Sequence, residues 1–296
     1  LFLIENLQQK IFAKAAFEFS YRVPRIKMEE LYKQYAPELM NRFFDVMTIQ
    51  KGLSKILIDF TAASLQVVFG LILLSFYHPF FILFSLLLSI IVYIIFKLTA
   101  KEGLKTSLKE SKLKYQTAHW LEELARTNIT FKLSGNSKLP LQKTDANVEK
   151  YLEARETHFK VLVRQFSLLI VFKVLVATGL LAIGGILVME QLMNIGQFVA
   201  AEIIILMIMN SVEKLILSLE TIYDVLTGVE KVGEVTDLEL EHTEGAELDQ
   251  SEHVKGLNLK IQNLSFQFPR NPKPTLENIN FEIKSNNTLI VTGPNA

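Results

Sequence analysis

Two groups of residues in this sequence have types and spacing that could do chemistry. The first closes the chain, where the apolar, strand-like run Leu289-Ile290-Val291 leads through Thr292 into Gly293-Pro294-Asn295-Ala296. A loop of the form G-x-x-x-x-G-K-[ST] wraps phosphates in backbone N–H groups at a helix N-terminus, with lysine adding a point charge and a hydroxyl holding Mg²⁺. Gly293, Pro294 and Asn295 supply the opening of such a loop and no more. The second group is a pair of charges inside apolar segments, Lys173 and Glu202. Burying a charge in hydrocarbon is expensive unless it faces water or a partner, so both are candidates for a path through a membrane. Glu202 falls within about two turns of a hairpin tip, whereas Lys173 lies close enough to the other end of its segment to snorkel.

Those residues need elements to position them, and composition says which. The chain has 296 residues, is 50% hydrophobic and 21% charged, and has a mean hydropathy of +0.27. Membrane spans joined by charged segments account for this mixture. The net charge is zero, which gives no global argument for nucleic acid as a partner. Cysteine is absent, so disulfides, thiolate metal sites and cysteine nucleophiles are excluded within these residues. The chain opens on leucine inside an apolar tetrapeptide, so further sequence is expected before Leu1.

Residues 60–96 contain no Asp, Glu, Lys or Arg over 37 positions. A single helix of that length would reach roughly 55 Å, against a hydrocarbon core of about 30 Å. Two helices in a hairpin fit, with the break at Tyr77-His78-Pro79, because proline disfavours helix before it and favours helix after it. His78 reads as a turn residue with no second metal ligand nearby. A second hairpin is predicted from residues 166–188 and 198–212, turning through 189–197; an interfacial helix is the alternative for its second arm. Residues 97–164 carry Lys101, Lys105, Lys109, Lys112, Lys114, Arg126, Lys132 and Lys138, whereas both hairpin tips lack Lys and Arg. The positive-inside rule places this segment, and the basic stretch 10–55, in the cytoplasm. Helical charge spacing over 104–124 and 148–163 predicts that the membrane helices continue as long stalks.

Between Asp237 and Glu252 there are seven acidic residues and no Lys or Arg, which reads as a linker. The apolar period then becomes two. Leu257, Leu259 and Ile261 alternate; Leu264, Phe266 and Phe268 follow after a one-residue slip at Asn263; and Ile279, Phe281 and Ile283 alternate again. Leu289 to Val291 is expected as a third strand.

In this order the parts resemble the exporters of the ATP-binding cassette (ABC) superfamily. The resemblance rests on residues 261–269, 276–281 and 289–295. It is supported by Gly196-Gln197, by Pro37-Glu38-Leu39 with Asn41-Arg42, and by Leu121-Glu122-Glu123-Leu124 leading to Thr130-Phe131-Lys132. It implies a mostly α fold: a polytopic membrane domain over 1–230 running from the end of helix two to helix six, an acidic linker over 231–255, and the first β-strands of an α/β nucleotide-binding domain over 256–296. It also implies ATP and Mg²⁺ in the full-length protein, a lipid bilayer around the helices, a second ABC subunit, an exported substrate of unknown identity and the cytoplasmic membrane as location. Phe268 matches the aromatic that stacks on adenine, and Gly293, Pro294 and Asn295 match the start of the phosphate loop. Two short coupling helices are expected near residues 21–28 and 126–131. No catalytic residue and no metal ligand is assigned within the chain. The rival reading is a polytopic receptor or channel with a cytoplasmic β-domain.

Overall fold

The computed structural model describes residues 2–32, 36–135, 137–242, 257–268 and 271–292. In chain order the helices are α1 (Phe2–Arg22), a 3-10 turn (Val23–Arg25), α2 (Met28–Leu31), α3 (Ala36–Asn41), α4 (Asp45–Lys55), α5 (Thr61–Ser75), α6 (Pro79–Arg126), α7 (Asn128–Leu133), α8 (Leu139–Met189) and α9 (Ile195–Thr236). Strands β1 (Leu259–Phe266) and β2 (Leu276–Ile283) follow. The chain forms two compact units, one of residues 1–24 and 34–238, the other of residues 25–33 and 239–296.

The first unit holds the membrane helices. Four stretches, Glu38–Ser75, Pro79–Arg126, Leu139–Met189 and Ile195–Thr236, are long and apolar enough to cross a membrane. With 48 residues in α6 and 51 in α8, these helices reach about 72–77 Å, so the predicted extensions are real. Burial explains why they belong in lipid: between 11% and 33% of each apolar window is covered by protein. A soluble bundle would hide most of that surface.

Both hairpin tips are set by local chemistry. His78 is extended and caps α6, its Nδ1 accepting from the Phe80 N–H at 3.2 Å, with Pro79 at the first helical position. The predicted break is therefore at the right residues, and the turn histidine has a specific job. At the other tip, Asn194 and Gln197 form a reciprocal capping box: the Gln197 N–H donates to Asn194 Oδ1 at 2.8 Å, and the Asn194 N–H donates to Gln197 Oε1 at 3.0 Å. The Gly196-Gln197 pair noted in the sequence thus starts α9.

Two expectations need correction. The helix that carries the first span does not begin at residue 60, because α4 leads into α5 through a π-helical turn, Ile56–Phe60, that keeps the helix continuous. Charged residues before Phe60 masked a helix whose inner face already packs on α9. Residues 289–291 are not a strand: Ile290 and Val291 are 80% and 85% exposed, and no described strand lies alongside to accept their hydrogen bonds.

Buried side chains in the first unit follow helical spacing: Phe81, Phe84, Leu88 and Ile95 on α6; Leu169, Phe172, Val176 and Leu180 on α8; Ala201, Ile205, Ile208 and Val212 on α9. These stripes meet in one apolar core. At four places the approach to α9 is too close for any side chain: a Cβ on Gly52, Gly70, Gly103 or Gly184 would come within 2.3–2.7 Å of Val225, Ile208, Tyr223 or Phe198 respectively.

In the second unit β1 and β2 pair antiparallel, Ile261 opposite Phe281 and Leu264 opposite Ile279. The predicted slip at Asn263 is a bulge, with Asn263 at φ +53° and its N–H donating to Asn280 Oδ1 at 2.8 Å. The early segment joins the same unit through the Ile26–Leu240 bridge and the Lys27–Glu239 ion pair at 2.6 Å.

Gly103→Ala is expected to cost about 1–3 kcal/mol by overpacking, more than the ~1 kcal/mol that alanine gains in helix propensity. Gly185→Ala, where no atom lies within 4 Å, is expected to be neutral or stabilising. Thermal midpoints of the two variants in detergent check this.

Candidate functional site

The intramembrane charges part company in the structure. Lys173 on α8 forms an ion pair with Glu213 on α9, Nζ to Oε2 at 2.7 Å, both side chains about one-third exposed. Lys173 therefore bridges two spans as well as lying near a polar boundary. Nothing in the sequence marks Glu213, 40 positions away, as its partner. Glu202, half-buried on α9, has no hydrogen bond or ion pair among the described residues. It lies two helical turns from the Asn194 cap, as its place in the sequence suggested.

Below the apolar core the interior becomes polar, and helix spacing puts the polar residues together. On α6, Thr106 Oγ1 meets His158 Nδ1 of α8 at 2.8 Å, and Ser107 Oγ meets Thr227 Oγ1 of α9 at 2.9 Å; all four residues are buried. Gln165 Nε2 donates to the Tyr223 hydroxyl at 2.7 Å, and the Tyr223 ring fills the space left by Gly103. Burial raises the Tyr223 phenol above its usual range, with the Gln165 contact opposing. About two turns beyond Ser107 on α6, the Tyr115 hydroxyl donates to Asp45, and burial followed by that carboxylate holds the phenol protonated well above the ordinary tyrosine range. None of these residues stood out in the sequence, because each is a small or polar residue inside a charged helical pattern.

The ends of α6 and α8 away from the hairpin tips are joined by matched charges. Arg155 donates to Glu110 at 2.6 Å and Arg164 pairs with Glu102. The Trp120 indole donates to Thr144 Oγ1 at 3.0 Å and lies under the Lys143 ammonium at 4.1 Å. Next to this paired surface, Glu220 and Asp224 stand one turn apart on α9 without a partner among the described residues. The surrounding protein, and then the Glu220 carboxylate, hold Asp224 above the usual aspartate range. A carboxyl whose pKa rises on folding stabilises the fold when protonated and loses that contribution as pH rises through the folded value. Asp224→Asn, neutral at every pH, is expected to raise the thermal midpoint at pH 7. The gain should shrink below the ordinary aspartate pKa of about 4, which paired melts at neutral and acid pH would show.

Among the predicted nucleotide residues, Phe268 is described and Gly293, Pro294 and Asn295 lie outside the described residues. The Phe268 ring is 40% exposed, edge-on to Phe266 at 4.9 Å and to Tyr32 at 5.7 Å. An exposed ring fixed by two neighbours suits stacking on a flat base. No group of three or more His, Cys, Asp or Glu residues able to hold a metal ion occurs among the described residues. Short helices stand at both places where coupling helices were expected: a 3-10 turn and α2 in the first, α7 in the second.

Comparison with known proteins matches this architecture. Over residues 23–212 the sequence fits the model of the ABC transporter transmembrane region. No curated protein matches. Among solved structures, that of a bacterial Atm1-family ABC exporter with ATP bound is similar, with a TM-score of 0.77 over 95% of this chain at 12% identity. This chain spans 49% of that protein's length. With four spanning helices, two capped hairpins and a family match over most of the helical unit, the chain belongs to the ABC transporter transmembrane region family and is a multi-pass membrane protein.

Proposed function

We propose that the chain is one half of an ATP-driven exporter in the cytoplasmic membrane, with a second subunit completing the pathway for a substrate of unknown identity. The carrying observation is the order of parts: the helical unit of the ABC transmembrane family is followed, after α9 and the acidic stretch, by a bulged hairpin with an exposed aromatic just past its first strand. In this reading residues 1–230 are the membrane domain, 231–255 the linker and 256–296 the start of the nucleotide-binding domain, although α9 itself runs on to Thr236. The basic extensions then face the cytoplasm.

ATP would be held by stacking on Phe268 and by a phosphate loop beginning at Gly293, Pro294 and Asn295, and it would supply the free energy for alternating access. Mg²⁺ would enter with the nucleotide. Tyr32, on the early segment, fixes one edge of the Phe268 ring and so links that segment to the base-stacking position. Within the membrane Glu202 remains the candidate for the pathway, because an unpartnered half-buried carboxylate needs water or a cation nearby. Lys173, paired with Glu213, holds α8 and α9 in register along that pathway.

The test is ATP turnover by the full-length protein in proteoliposomes. Base stacking is worth about 1–3 kcal/mol on alanine substitution, so Phe268→Ala is expected to raise the KM for ATP about ten-fold or more. Phe268→Tyr should stay close to the parent. A full-length protein without ATPase activity would reject the exporter reading in favour of a receptor or channel.

A further inference from the structure

Between α4, α6, α8 and α9 lies a polar cavity of about 280 Å³, beyond the apolar core and separate from the positions of Glu202 and Lys173. Its floor includes Ser111, which is 7% exposed and whose Oγ has no hydrogen-bond partner. Ser85, in the apolar part of α6, is the other buried serine left so among the described residues, and it does not line the cavity. Ser64, Ser75, Ser89, Ser167, Ser211 and Ser218 all return their hydroxyls to the carbonyl four residues back. A buried hydroxyl left unmatched is costly, and the deficit is removed by a ligand that donates to it.

The charges around the cavity indicate which ligand. Four carboxylates line it, Asp45, Glu110, Glu220 and Asp224, against the cations Lys114 and Arg155. Arg155 is committed to Glu110 at 2.6 Å, and Lys114 lies 4.0 Å from Asp45, which also accepts from Tyr115. Glu220 and Asp224, one turn apart, have no ion pair among the described residues; Asp224 feels the attraction of Lys114 and His158, but four carboxylates against two fixed cations leave the balance negative. An anion would meet that charge. A bare metal ion would find no set of three convergent ligands among the described residues. An alkylammonium group brings three N–H donors on a compact charge, suited to two carboxylates and one hydroxyl, and the volume lies near the lower end of small-molecule sites.

We propose that this cavity is a binding site for a small organic cation bearing a primary ammonium group, held by Glu220 and Asp224 at the mouth with Ser111 as the buried acceptor. The inference stands apart from the transport reading, since binding is read without ATP or cargo movement. The probe is 1,4-diaminobutane, titrated calorimetrically at low ionic strength into the full-length protein in nanodiscs, with succinate and 1,4-butanediol as controls. Saturable binding of the diamine alone is expected. The exposed-site double variant Glu220→Gln/Asp224→Asn should weaken it about ten-fold or more, and Ser111→Ala about three-fold or more. The first variant replaces each carboxylate by its isosteric amide and the second removes only one hydroxyl, so a folding failure in one leaves the other informative. No saturable diamine binding up to millimolar concentration, equal binding of succinate, or an unchanged affinity in both variants would overturn the assignment.

Discussion

Close contact with α9 is the constraint on which the helical unit depends. Lipid tails are as apolar as leucine, so spans in a membrane are held by how tightly their surfaces fit, not by withdrawal from water. Here α4, α5, α6 and α8 each present a glycine to α9, at Gly52, Gly70, Gly103 and Gly184. Each removes a side chain where α9 offers a large one, and each meeting fixes the height of one helix against another. The capped tips at His78 and Asn194 then need only turn the chain, because the register is already set by the side chains that the glycines receive.

The same fit governs the polar region. Tyr223 can lie against α6 because Gly103 makes room, and with its ring in place the hydroxyl meets Gln165. The Thr106–His158 and Ser107–Thr227 contacts lie within about one turn of that anchor. Buried hydrogen bonds of this kind tolerate little sliding, so they convert a close but non-directional apolar fit into one defined arrangement. The Lys173–Glu213 pair adds a charged link between the last two spans at a height where neither group is fully covered.

Much of this was legible in the sequence, for identifiable reasons. An uncharged run of 37 residues is too long for one span, and a His-Pro pair inside it marks the break, so the first hairpin could be read at residue level. Asn263 announced its bulge because the alternation changes phase there. The start of the helix that carries the first span was obscured because Asp45, Lys51 and Lys55 break the hydropathy although Val46 and Gly52 are buried. Single glycines in apolar helices carry no label for the residue they receive, and the pairing of Lys173 with a residue 40 positions away requires knowledge of which helices adjoin. The missing third strand has a different cause. Leu289 to Val291 have strand composition, but composition cannot supply the neighbouring backbone that makes an extended segment a strand.

The second unit is discontinuous in sequence, since residues 25–33 belong with 239–296. The chain therefore passes between the two units three times: after Pro24, after Lys33 and after Leu238. Order along the chain and membership of a unit therefore differ. A fragment cut to begin at residue 239 would lack Ile26 and Lys27, whose contacts with Leu240 and Glu239 belong to the second unit itself. The hairpin's own fold thus draws on a stretch encoded more than 200 residues earlier.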